Sequence, residues 1–221
     1  MSEADGSGSA PSRCGASLLA GNGAPIVREL ALAKRVQGAL ERLYAIDRVL
    51  ELDPFVVLGA AGEREALFVR EGGDGELELS LRIPSGEGAK ALDGVCQIIE
   101  GVSHFVYITH RANRDQETTQ LELELQAEVD KYVVLAASIE AFDARRSEAL
   151  RVSLYDAVNF SHDQGTEEGE RYRTANGLAR QFTGRLERKF VARRNYGEMR
   201  RELRRFFHLT QSDKLAVARA A

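Results

Sequence analysis

The sequence predicts an α+β fold, mainly α, in which a small three-stranded antiparallel meander packs with a five- to six-helix subdomain. Three observations carry this. Leu77, Leu79, Leu81 and Ile83 alternate with Glu76, Glu78, Ser80 and Arg82, the period-two pattern of a strand with one wet face. Apolar residues recur at three- and four-residue spacing over 26–49, 88–111 and 119–142, which is helical periodicity. The last third of the chain continues that spacing in an arginine-rich background.

With 221 residues, the chain suits one domain and a tail. Residues 1–24 are Gly-, Ser- and Ala-rich and offer too little apolar surface to order themselves, so a disordered tail is expected there. A single domain over 25–221 follows: the meander (54–84), a helical hairpin (88–142) and a basic helical part (144–220). A hydrophobic content of 43% with 29% charged residues is ordinary for a soluble globular protein. No uninterrupted apolar run approaches the roughly 20 residues of a membrane helix. The first residues lack a basic segment followed by an apolar one, so no secretory signal is expected and the cytoplasm is the expected location. Cys14 and Cys96 make neither a disulfide framework nor a zinc site.

Ile26 to Val49 reads as the first helix, with Leu30, Ala33, Leu40, Leu43 and Ile46 on its stripe. Strands are expected at Phe55–Leu58, Ala66–Val69 and Leu77–Ile83, with Gly72-Gly73-Asp74-Gly75 as the hairpin turn. That turn is not a phosphate loop, because nothing helical follows it and no Lys stands at the required offset.

In the helix over 88–111, Asp93, Glu100, His104 and Arg111 form a polar stripe away from the apolar centre. Glu100 and His104, at i and i+4, can share a metal, but a solvated stripe of charge pairs is the first expectation. Thr119-Gln120-Leu121-Glu122 has the form of a capping box and starts the next helix. On that helix's wheel Glu128 falls inside the apolar arc and Glu124 at its edge, whereas Glu122, Gln126 and Asp130 point elsewhere. A buried carboxylate needs partners, because desolvation costs several kcal/mol. An antiparallel hairpin sets Glu124 opposite Tyr107 and Glu128 opposite Ser103, which makes those two hydroxyls the first candidates. Three readings follow for this cluster: a closed hydrogen-bond network, a catalytic or metal site, or an exposed stripe. The i,i+4 spacing, without a second Glu–His pair, departs from di-metal carboxylate bundles.

Ser147 to Phe160 reads as a short helix, and Thr166 followed by Glu167, Glu168 and Glu170 opens another. The neighbours His162 and Asp163 lie in the polar loop between, with no further ligands at metal spacing. Helices over about 166–190, 196–206 and from Thr210 or Ser212 complete the chain.

Net charge is −4, but Arg171 to Arg205 carries twelve Arg or Lys against three Glu, a local +9 that leaves −13 elsewhere. Arg173, Arg180, Arg200, Arg201, Arg204 and Arg205 are the candidate binding residues of this surface. Internal pairing with the acidic remainder is the first expectation for these arginines, then a protein partner, then nucleic acid.

No Rossmann, P-loop, zinc or Ser-His-Asp pattern is present, and the residues name no cofactor. Two functional readings remain. One is an interaction or regulatory protein using the Arg-rich C-terminal surface. The other is an enzyme of metal-assisted or acid/base type using Glu128, Glu124, Glu100 and His104.

Overall fold

A computed structural model describes residues 27–60, 62–71, 77–84, 91–158, 160 and 162–220. Helix α1 (Val27–Tyr44) leads through a 3-10 turn (Asp53–Phe55) into β1 (Val56–Leu58), β2 (Ala66–Glu71) and β3 (Leu77–Ile83). The helices α2 (Ala91–Ala112), α3 (Gln120–Ser138), α4 (Ala144–Tyr155) and α5 (Glu167–Leu186) follow. A π turn (Glu187–Val191) extends α5, and α6 (Tyr196–Phe207) and α7 (Gln211–Arg219) end the described chain. The mainly helical α+β architecture is as expected. The expected tail and the Gly72–Gly75 turn lie outside the described residues.

The sheet corrects the meander. Its order is β1-β3-β2, with β1 parallel to β3 and β2 antiparallel to it. The strands still run up, down and up, but β3 takes the middle. Leu81 and Ile83 are fully buried there, whereas Phe68 and Val69 of β2 stay 52% and 45% exposed. The strand with the richest apolar face occupies the only position paired on both sides. The strand carrying Arg70, which pairs with Glu78, goes to the edge, where charge discourages further pairing.

Helix α1 stops at Tyr44, short of the expected Val49. Ala45 takes a left-handed φ of 52°, and the Ile46 amide reaches back to the Glu41 carbonyl at 3.1 Å. This is a Schellman ending with alanine where glycine is usual, so composition does not announce it. Elsewhere caps mark the helices well. Thr119 and Glu122 form the expected capping box of α3. Asp143, Thr166 and Thr210 cap α4, α5 and α7 through hydrogen bonds to amides three residues on. The Asp143 cap starts α4 before the expected Ser147, and the helix ends at Tyr155 rather than at the expected Phe160.

Helix α3 lies at the centre, packed against α1, α2, α4 and α5. Eleven of its nineteen residues are buried, including Glu122, Glu124, Gln126, Asp130 and Lys131. Protein therefore covers it on nearly every side, and its apolar arc does not tell in from out. Around it aromatic rings close the core: Tyr44 stacks on Phe207 at 4.2 Å, Tyr107 meets Phe207 edge-on at 5.1 Å, and Phe182 stacks on Phe206 at 4.1 Å. Beyond them, the Tyr132 hydroxyl meets Ser147 at 2.7 Å, and Ser147 donates to Glu187 at 2.7 Å, tying α3 to α4 and the π turn.

The sheet reaches α2 at Gly101, where an added Cβ would lie 2.7 Å from Leu81 Cδ1 and 3.3 Å from Glu65 Oε2. Leu81 is fully buried, so any shift of its Cδ1 disturbs the neighbours packed around it. Gly101→Ala should therefore lower urea stability by about 1 kcal/mol or more, against the roughly 1 kcal/mol that alanine gains in an open helix. A stabilised variant would show that the sheet is free to shift.

Candidate functional site

Two polar clusters flank α3. The first faces α1, α2 and α7. Asp130 accepts hydrogen bonds from Tyr44, from Ser103 at 2.6 Å and from Gln126 at 2.9 Å. Tyr107 donates to Glu122 at 2.9 Å, and Arg111 approaches the same carboxylate at 3.5 Å. Lys214, fully buried, joins the two halves by donating to the Tyr107 hydroxyl and to Gln126 Oε1, both at 2.9 Å. Burial raises the Asp130 carboxyl to about 6 and lowers the Lys214 amine to about 7.

The second cluster lies between α2, α3, the Glu65 segment and α5. Lys131 donates to Glu100 at 3.2 Å and to Glu128 at 2.7 Å. Burial opposes the Lys131 charge, yet those two carboxylates hold its pKa well above the ordinary value. Burial alone would raise Glu100, but the charge of Lys131 and its hydrogen bond bring the carboxyl below the usual range. Glu65 and Glu124 have no such ammonium beside them. Burial first, then the neighbouring carboxylates, pushes both up to about 8. Burial lowers the His104 pKa, so the imidazole is neutral. Its Nε2 has no hydrogen-bond partner and faces Glu124 Oε2 at 3.7 Å, beyond bonding distance.

Several sequence expectations change here. Glu100 and His104 lie at 6% and 8% exposure, not on a solvated stripe. The wheel placed Glu128 deeper than Glu122 and Asp130. The structure reverses this: the Glu128 side chain is 12% exposed, Glu122 is 2% and Asp130 1%. Ser103 and Tyr107 do answer buried carboxylates of α3, but those of Asp130 and Glu122. Sequence reasoning passed over Glu65, Lys131, Gln126 and Lys214. The two lysines carry no local signal, since each looks like a surface residue until its helix is packed.

The second cluster can store and exchange protons, because Glu124 and Glu65 stay protonated at neutral pH beside a neutral imidazole. No three His, Cys, Asp or Glu side chains among the described residues are grouped to hold a metal ion. A shallow surface concavity with room for about one water molecule, lined by Gln37, Glu41, Asp47, Thr109 and His110 among others, lies at the end of α1 and belongs to neither cluster.

The arginines divide. Arg173 donates to the carbonyls of His162 and Asp163, and Arg180 pairs with Asp156 at 2.6 Å. Arg201 pairs with Glu198, and Arg205 with Glu202 at 3.8 Å. Arg204 donates to the Leu43 and Arg42 carbonyls at the C-terminus of α1, at 2.7 and 3.3 Å, where positive charge is favoured. Of the six expected binding residues only Arg200 is exposed and unpaired with any carboxylate of the described residues. Arg188, Lys189, Arg193 and Arg194 share that state, so the open basic patch centres on 188–200. His162 is engaged with Glu168 at 3.1 Å and stacks on Tyr172.

Asp130→Asn should cost about 2–3 kcal/mol in urea unfolding, because an amide hydrogen then opposes one of three donors. Glu128→Gln keeps an acceptor for Lys131 and should cost less. Equal losses would mean that the Asp130 network contributes no more than the rim pair.

The contribution of Glu65 and Glu124 to stability should fall as pH rises from about 5 to 7, against an opposite contribution from His104, His110 and His208, whose pKa values burial lowers. Glu65 and Glu124 keep their protons in the fold up to about 8 and lose them near the ordinary 4.5 when unfolded, so the native state binds more protons across this window. Lys214 acts oppositely above about 7, since only the unfolded chain then holds its proton. Glu124→Gln should shift the slope of stability against pH between 5 and 7 in the positive direction; an unchanged slope would show that Glu124 is ionised in the fold.

Compared with protein-family models, curated proteins and solved structures, the chain matches none.

Proposed function

We propose that this protein is a non-enzymatic interaction module of regulatory type, acting in the cytoplasm, whose basic surface over 188–200 receives an acidic protein partner. The observation that carries this reading is the group Arg188, Lys189, Arg193, Arg194 and Arg200, exposed and without a carboxylate partner among the described residues. The other arginines of this region are largely committed to carbonyls and carboxylates of the chain itself. Tyr196 is 36% exposed beside the patch and lies one helical turn before Arg200, on the same face of α6. Tyrosine with arginine is the pairing that protein interfaces favour at their centres. A protein partner is preferred to nucleic acid because the patch is short, and Glu198 and Glu202 stand beside it. Among the described residues no helix is long and apolar enough to cross a membrane.

A second reading, acid/base chemistry at Glu124, His104, Glu100 and Glu128, draws on the unpartnered His104 Nε2 and the protonated Glu124. It is ranked below the first because Lys131 closes half of that cluster.

Replacing Arg188, Lys189, Arg193, Arg194 and Arg200 together by Gln should change stability by less than about 0.5 kcal/mol while abolishing retention on immobilised poly-L-glutamate. Retention on duplex DNA or RNA with a steep salt slope would instead place the protein among nucleic-acid binders. Retention on poly-L-glutamate that survives the five changes would refute the patch. Arg204→Gln, by contrast, should leave retention intact and cost about 1 kcal/mol of stability, through loss of the α1 cap.

A further inference from the structure

Helix α7 is held by an unusual anchor. Lys214 and Ala218 are its only buried residues. Nine residues are too few for a helix to persist alone in water. Arg185 of α5 clamps its far end, donating to the Val217 carbonyl at 2.6 Å and the Ala220 carbonyl at 3.2 Å. Its deepest insertion is the Lys214 side chain, which runs into a chamber between α2, α3 and α6.

That chamber is built for an amine. Tyr107 OH and Gln126 Oε1 accept from Nζ at 2.9 Å, and the Phe207 carbonyl stands at 3.5 Å. Three acceptors match the three hydrogens of an ammonium. The nitrogen lies 4.2 Å from the centroid of the Tyr107 ring and 5.1 Å from that of Phe206. Aromatic faces at such distances attract cations. Behind these groups stand Glu122, held through Tyr107, and Asp130, held through Gln126. Tyr44 of α1 completes the wall by donating to Asp130. Arg111 on α2 and His208 after α6 are the nearby groups that oppose positive charge.

We propose that this chamber is a recognition site for a primary alkylamine, which the chain fills in cis with Lys214 and which an amine from outside can enter when α7 lifts away. The amine belongs to a free small molecule or to a lysine of another protein; the chemistry is the same. The cis lysine then acts as a plug. Any amine that takes its place releases α7 as a free segment, coupling occupancy to a change in the surface near the C-terminus. This inference does not depend on the basic patch over 188–200, which uses other residues.

The experiment is chemical rescue. Lys214→Ala in the full chain removes the plug and leaves the walls. Its Tm should fall by about 5 °C or more. Addition of n-butylamine at about 50 mM should recover at least about half of that loss by mass action, whereas n-butanol of the same length should recover little. Burial opposes the charge, so rescue should be greater at pH 9 than at pH 7. Rescue by Nα-acetyl-lysine amide as well would assign the site to protein-borne lysines, and rescue by n-butylamine alone to small amines. If Lys214→Ala is unfolded in plain buffer, the same comparison reads recovery of far-UV ellipticity. Lys214→Met, whose thioether fills the chamber, should show no response to amine. Equal rescue by n-butanol, absence of rescue by both amines, or an equal response from Lys214→Met overturns the proposal.

Discussion

The organising constraint of this fold is that a strongly charged helix is buried on nearly every side. Helix α3 carries Glu122, Glu124, Asp130 and Lys131 into the interior, where each unpaired charge would cost several kcal/mol against a net stability of only about 5–15 kcal/mol. The surroundings of α3 answer those groups one by one. Tyr44 of α1 and Ser103 of α2 answer Asp130, Tyr107 of α2 answers Glu122, and the Lys131 of α3 itself bridges Glu100 and Glu128. An apolar helix can turn by a fraction of a residue at little cost. Turning α3 strands a carboxylate, so the polar contacts set its rotation and its register against α2.

The two flanks of α3 solve the problem in different ways. On the α1 and α7 flank, donors outnumber carboxylates and the network closes through Lys214. On the Glu65 flank, carboxylates outnumber cations, and the surplus charge is removed by keeping protons on Glu65 and Glu124. The loose geometry around His104 Nε2 belongs to this second solution: a neutral imidazole beside a protonated carboxyl tolerates a gap that an ion pair would close.

The same economy governs the basic end of the chain. A +9 segment reads as a broad positive surface, yet much of its charge is consumed at home. Arg204 caps α1, Arg185 clamps α7, and Arg173 and Arg180 secure the approach to α5. What remains open is narrow and sits around the π turn. This makes the arginines more important to the assembly of the helices than to their charge field.

Some of this was written locally and was legible. The Thr119–Glu122 capping box, the caps at Thr166 and Thr210, and the alternation through β3 depend on neighbours within a few residues. The up-down-up course of the strands followed from the same local signals. The order of those strands, the early end of α1 at Ala45 and the inward faces of α3 did not. Helical periodicity reports a single interface between apolar and wet sides, and α3 has two protein interfaces, so Glu122 and Asp130 read as outward although they are the deepest acids. Lys131 and Lys214 illustrate the same limit. Nothing near them in the chain marks a buried ammonium; Lys214 meets Tyr107 and Gln126, about a hundred positions away, only after the helices assemble. Local propensity and capping are encoded within a turn or two. Desolvation, and the partner that offsets it, are properties of the whole packed structure.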